Sequence, residues 1–146
     1  MENYKEIIVP TDGSKNAKLA FIRALKLSQD HDNKVAIHLF YIVDTNYINN
    51  FSSIDDSVVD KITDDAKKIL DQYLKDAKKQ KITNIDYAIK YGAPKEIIAQ
   101  ELPKLYQNPL IIIGATGLNP IEKLLIGSTT AYVSKNASCD VLIVKK

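Results

Sequence analysis

The chemistry available to this chain is concentrated around its glycines. Gly13 lies in the run Pro10-Thr11-Asp12-Gly13-Ser14, and three others compose the pattern Gly114-x2-Gly117-x9-Gly127-Ser128-Thr129, with Gly92 standing apart. Glycines free a loop of Cβ atoms, so that successive backbone N–H groups can approach an anion, and a helix starting at the far end adds donors and the positive end of its dipole. Ser128 and Thr129 bring hydroxyls to the same place. The spacing fits a phosphate cradle and a plain turn followed by a Ser128 helix cap equally well. Asp12 is the carboxylate of these loops, and because sequence ties no histidine, second carboxylate or lysine to it, it reads as a binding group rather than a catalytic one.

Other reactive side chains carry bland readings. Lys123 and Glu122, between the second and third glycines of the pattern, can pair with phosphate or orient water, but they read first as solvated loop charges. His31 and His38 lack any surrounding motif and read as structural, and Cys139, the sole cysteine, as a small core residue beside a strand. Several enzyme classes lack their parts. The chain has no Gly-x4-Gly-Lys-[Ser/Thr] loop, no G-x-G-x-x-G after its first strand, and no Ser-Gly-Gly-x-Asp-Ser loop of ATP pyrophosphatases over Thr11 to Asn16. A phosphorelay receiver needs an acceptor aspartate where Tyr91-Gly92 stand.

The elements that must hold these loops are legible from periodicity. Ile7 to Pro10, Val35 to Val43, Leu110 to Ile113 and Val141 to Val144 are apolar runs that suit strands covered on both faces, while Ile85 to Lys90 alternates like an edge strand. Between them, Ser14 to Gln29 predicts a helix capped by Ser14, with Ala17, Phe21, Ala24 and Ser28 on its inner face and Ala20 and Leu27 beside them. Ser57 to Gln80 predicts a second helix with the stripe Val59, Ile62, Ala66, Ile69, Tyr73 and Ala77, acids early, lysines late, and Asp64–Lys68 and Asp71–Lys75 as i,i+4 pairs. A third starts at Pro94 and runs to about Tyr106, with a kink or break at Pro103. A fourth begins near Gly127 and carries Ala131, Tyr132 and Val133 toward the last strand. Asp44 to Ile54 reads as a long polar loop. Strands alternating with helices and joined by right-handed crossovers give one α/β domain over 1–146, a doubly wound parallel sheet. In such a sheet the ligand crevice opens at strand carboxyl ends beside the topological switch point, so two glycine loops at two strand ends point to one site.

Composition agrees with a single domain without staples. The 146 residues carry 20 basic and 18 acidic side chains, a net charge of +2, and Arg23 is the lone arginine, which disfavours nucleic acid as a partner. A single cysteine excludes a disulfide framework, and no apolar stretch is long enough to span a bilayer, so a cytoplasmic location is expected.

The segments Ile7-Ile8-Val9-Pro10-Thr11-Asp12-Gly13-Ser14, Tyr41-Ile42-Val43-Asp44 and GATGLNPIEKLLIGSTTAYVSKNASCDVLIVK resemble, in that order, the universal stress protein family. The resemblance covers essentially the whole chain, and the intact G-x2-G-x9-G-[ST] pattern marks the ATP-binding type. It implies a Rossmann-like five-stranded sheet in the order 3-2-1-4-5. It further implies that Pro10, Thr11 and Asp12 line the adenosine end and that Ile42 contacts the base. Gly114 is then placed by the ribose, and Gly117, Gly127, Ser128 and Thr129 around the phosphates. Asp12 suits that role, since a carboxylate accepts ribose or adenine donors or holds a metal-bound water, and magnesium or manganese would be carried mainly by the phosphates. The terminal strand, 140–146, is implied to pair antiparallel in a homodimer. Tyr41, Thr129 and Asp140 stand where the family commonly has histidine, a small or aliphatic residue, and proline; none removes the cradle.

The expectation is therefore a cytoplasmic ATP-binding regulator of a stress response, acting on an unnamed protein partner, with at most slow hydrolysis. The alternatives are an enzyme that hydrolyses ATP or transfers its phosphoryl group through Asp12 or Glu122, and a dimeric interaction module that binds no nucleotide.

Overall fold

A computed structural model describes residues 4–46, 48, 56–117 and 126–146. Five strands form one parallel sheet: β1 (Glu6–Thr11), β2 (Ala36–Asp44), β3 (Ile85–Gly92), β4 (Leu110–Gly114) and β5 (Asp140–Val144). Their order is β3-β2-β1-β4-β5, so the chain reverses direction of winding between β1 and β4. Thr11 pairs in register with Tyr41, and Gly114 with Val144, which brings the carboxyl ends of all central strands to one edge of the domain.

The two faces of the sheet are covered by different helices. On one, α1 (Lys15–Asp30) and α2 (Asp56–Lys79) close a core around Ile7, Val9, Ile37, Leu39 and Ile112. The other face is covered by a helical segment, α3 (94–105), and by α4 (Ser128–Asn136), over Ile8, Phe40, Ile111 and Ile113. Ser14 caps α1 as expected, its Oγ accepting from the Ala17 N–H at 3.1 Å. The inward stripe of α1 also includes Leu25, and that of α2 includes Leu70, because a helix stripe wider than 100° buries the flanking position when it faces a flat sheet.

Pro103 is accommodated by a change of helix type. α3 begins as Pro94–Glu96, widens to a π-helical turn over Ile97–Glu101 and tightens to a 3₁₀ turn over Leu102–Leu105. The Leu102 N–H reaches the Ile97 carbonyl, and the next residue, proline, offers no N–H that would need an α-helical partner.

Three expectations are corrected. Asp44 closes β2 and Thr45, Asn46 and Ile48 are helical rather than looped, with Ile48 buried; an aliphatic side chain among asparagines anchors the chain there. The rest of the expected loop, 47 and 49–54, lies outside the described residues. The pairs Asp64–Lys68 and Asp71–Lys75 do not close: among the described residues the ion pairs are those of His38, and Asp71 instead accepts from the Tyr87 hydroxyl at 2.9 Å. Exposed ammonium groups gain little by leaving water. Ala131 is exposed, and α4 turns Thr130 and Val133 inward.

Candidate functional site

The carboxyl end of β1 turns sharply into α1. The Gly13 N–H donates to Thr11 Oγ1 at 3.2 Å and the Ser14 N–H to Asp12 Oδ1 at 2.9 Å, two local turns that hold the Asp12 carboxylate above the strand end. Gly13 has φ +82°, in the left-handed region, and a Cβ there would also meet Ile69 Cδ1 at 2.9 Å. Thr11 turns under the loop, its Oγ1 donating to the buried Tyr73 hydroxyl at 3.4 Å.

The carboxyl end of β4 is built by close approach. A Cβ on Gly114 would lie 2.7 Å from both C and O of Asn16, so the strand end presses directly on the first turn of α1. The Asn16 side-chain amide donates to Thr116 Oγ1, joining that helix to the second loop. Thr130 Oγ1 donates to the Gly114 carbonyl at 2.6 Å, and the Gly127 N–H to the Ala115 carbonyl at 2.7 Å, which draws the start of α4 over the strand end.

These contacts bring the loops together at Gly117. A Cβ on Gly117 would stand 2.7 Å from Asp12 Oδ2, and one on Gly127 would stand 3.9 Å from the Gly117 nitrogen. Asp12, Gly117 and Gly127 are thus neighbours, although more than a hundred positions separate the first from the others in sequence. The residue capping α4 is Gly127, at φ −71° and ψ 165°, and among the described residues no side chain caps that helix. This corrects the reading of Ser128 as a cap: Ser128 is the first residue of the helix and exposed, followed by half-buried Thr129.

The remaining predicted residues share this end of the sheet without touching that cluster through any polar contact. Pro10 is buried within β1. Ile42 follows Tyr41 on β2 and packs toward the α3–α4 core, whereas Tyr41 packs toward α1 and α2. Burial raises the pKa of Tyr41, with Asp12 and then Asp65 adding to the effect. Burial likewise raises that of Tyr73, opposed by the Thr11 contact and reinforced by Asp12. Both phenols are therefore held neutral beside the Asp12 carboxylate. Glu122 and Lys123 lie outside the described residues.

Three residues of this construction escaped sequence reasoning: Asn16, Thr116 and Thr130. For Thr130 a signal existed, since it lies one turn from Val133 and a threonine on a buried helix face needs a hydrogen-bond partner. His38 also does more than fill space. Its Nδ1 lies 2.7 Å from Asp86 Oδ1 and its Nε2 2.6 Å from Glu6 Oε2, and its ring stacks on Tyr106 at 4.1 Å, binding three strands and the α3–β4 connection. Among the described residues no group of three or more His, Cys, Asp or Glu is arranged to hold a metal ion, and no helix is long and apolar enough to cross a membrane.

A parallel sheet wound in this order, with two glycine loops meeting over the ends of β1 and β4 at the topological switch point, defines a Rossmann-like α/β domain. The sequence profile described as the Universal stress protein family matches residues 3–145, and the chain belongs to that family. It is 30% identical over 145 residues to a universal stress protein of Staphylococcus haemolyticus, covering 99% of this chain and 87% of the relative. Universal stress protein UspA from Lactobacillus plantarum has the same fold, with a TM-score of 0.85 and 28% identity, covering 99% of each chain. A universal stress protein solved in complex with cAMP aligns with a TM-score of 0.70 and 23% identity over 99% of this chain and 98% of its own.

Proposed function

We propose that the crevice between the β1–α1 and β4–α4 connections binds an adenine nucleotide, ATP foremost, and that occupancy makes this protein a nucleotide-dependent regulator. The observation that carries the reading is the meeting of Gly117 with Asp12. A residue with a Cβ would collide with the carboxylate there, so glycine lets the two loops meet beside a helix start that, among the described residues, no side chain caps. The N–H groups of that helix start suit a chain of phosphates: Gly117, Gly127, Ser128 and Thr129 would surround them, with Asp12 and Thr11 toward the sugar, Gly114 supporting the strand end, and Pro10 and Ile42 offering apolar walls. Magnesium or manganese would travel with the phosphates, supplying charge neutralisation. The cAMP complex of a relative supports an adenine nucleotide at this fold. Asp12 is engaged by the Ser14 N–H and has no general base or acid hydrogen-bonded to it among the described residues, which supports binding with at most slow hydrolysis.

A cytoplasmic homodimer, formed by antiparallel pairing of β5 at the open edge of the sheet, belongs to the same reading, since an edge strand presents unpaired backbone groups. Its protein partner is a matter for experiment.

Calorimetric titration of the nucleotide-free protein with Mg-ATP, run beside Gly117→Val, tests the reading. Saturable binding by the native chain, with a thermal midpoint that rises with ligand, and loss of both in a folded Gly117→Val variant, is the expected result. No heat and no midpoint change for the native chain at saturating Mg-ATP would overturn it in favour of an interaction module without nucleotide.

A further inference from the structure

Beside the nucleotide crevice, a groove of about 370 Å³ runs between α1 and α2, and its lining is chemically distinct. Its lining combines the exposed Lys15 and Lys18 of α1 and Lys68 of α2 with Ile69, Gln72 and Tyr73 of α2, of which Ile69 and Tyr73 are the more deeply set. None of the three lysines has an ion-pair partner among the described residues, and the lining contains no acidic side chain. Three like charges around one concavity repel each other, and Lys15 in addition sits in the first turn of α1, which carries no acid, where the dipole disfavours a cation. A stability-driven surface would place an aspartate there. Local rules are broken in this way where a ligand supplies the missing charge.

The floor decides what kind of anion fits. Ile69 is half-buried, Tyr73 is buried and stacks on Phe21 with ring centroids 4.4 Å apart, and lysine stems are themselves apolar below their ammonium groups. The groove therefore pairs an apolar base with a cationic rim. Its volume lies within the range of small-molecule sites.

We infer that this groove is a second ligand site, separate from the nucleotide crevice, for a small amphiphilic anion: a phosphate monoester or carboxylate carrying a short apolar body. The body lies on Ile69 and Tyr73, and the anionic head is shared among Lys15, Lys18 and Lys68. The site is coupled in structure to the crevice, because the Tyr73 hydroxyl meets Thr11 and the groove is bordered by Gly13 and Ser14, which follow Asp12 directly.

The test uses the full chain without nucleotide, so that its outcome is independent of ATP binding. Hexyl phosphate is titrated into ¹⁵N-labelled protein, with inorganic phosphate as a second arm. Saturable shifts at the amides of Lys15, Lys18, Lys68 and Gln72 are expected, with inorganic phosphate at least about tenfold weaker because it lacks the buried methylenes. The triple variant K15Q/K18Q/K68Q, whose substitutions keep helix propensity, should bind hexyl phosphate about tenfold or more weakly. The inference is overturned by absence of saturation, by equal affinity for the two probes, by an unchanged triple variant, or by shifts confined to Gly127, Ser128 and Thr129, which would put the anion in the nucleotide crevice.

Discussion

Replacing Gly114 with alanine should damage the fold more than replacing Gly117, although Gly117 stands nearer the proposed ligand. At Gly114 the added Cβ would sit 2.7 Å from C and O of Asn16 and 3.0 Å from the Ala17 nitrogen, all of them backbone atoms. Ordinary carbon contacts lie at about 3.5–4.0 Å, so the first turn of α1 would have to retreat from β4 by roughly 1 Å. That retreat loosens the packing of Ala17, Ala20 and Phe21, which are almost completely buried. Overpacking of this kind costs about 1–3 kcal/mol, and with rigid backbone on the far side the upper end applies. Alanine restricts the unfolded chain and returns about 0.4–1 kcal/mol, since Gly114 does not need a positive φ. The net loss is about 2 kcal/mol, or a thermal midpoint lowered by roughly 4–8 °C for a chain of this size. Among the described residues the new Cβ at Gly117 meets only the Asp12 carboxylate, which can swing aside, so the loss should stay below about 1 kcal/mol. Urea unfolding followed by far-ultraviolet circular dichroism measures both. A Gly114→Ala protein within about 0.5 kcal/mol of the native chain, or less perturbed than Gly117→Ala, would refute the close-packing argument.

Two further outcomes follow from the same contacts. His38→Leu keeps the volume but removes both hydrogen bonds and the stacking on Tyr106, leaving the Glu6 and Asp86 carboxylates without their partner. Because both carboxylates are partly exposed the loss should be about 1–2 kcal/mol, read as a lower urea midpoint; an unchanged midpoint would show that the imidazole only fills space. Tyr41, Tyr73 and Tyr106 have pKa values raised chiefly by burial, and Tyr87 has one raised chiefly by its hydrogen bond to Asp71. The folded state therefore holds phenol protons that the unfolded state has released, so stability is flat below the ordinary value of 10.0 and falls as pH rises beyond it. Tyrosinate absorbance should appear at higher pH in native than in urea-unfolded protein, and coincident titrations would contradict the burial of these rings.

The fold was legible because the sequence repeats one signal consistently. Apolar runs without alternation at Ile7, Val35 and Leu110, short and rich in β-branched residues, suit strands covered on both faces, and the helices between them leave a doubly wound sheet as the topology. What escaped the reading was set by tertiary contact. Nothing local distinguishes Gly114, which is glycine because a helix backbone lies against it, from Gly117, which is glycine because a carboxylate does. Thr130 and Asn16 bond across more than a dozen residues, so their roles depend on where the strands end. The helical start after Asp44 was hidden by asparagines, whose propensity argues for a turn, while burial of Ile48 argues the other way.

The glycine pattern therefore carries two physical demands at once. Gly114 and the Thr130 hydrogen bond fix β4, α1 and the start of α4 as one rigid frame, and that frame determines where Gly117 faces Asp12. A chain could keep the first demand and lose the second: alanine at Gly117 would leave the sheet, the core and the family resemblance intact while displacing the Asp12 carboxylate from its place against the second loop. Membership of the family thus follows from the frame, whereas the proposed nucleotide binding would depend on the single position where the two loops meet. Tyr73 extends the same division outward, since its ring belongs to the core with Phe21 while its hydroxyl reaches Thr11 beneath the crevice. A ligand on the floor of the α1–α2 groove would press on that ring, whose hydroxyl meets Thr11 in the turn that holds Asp12.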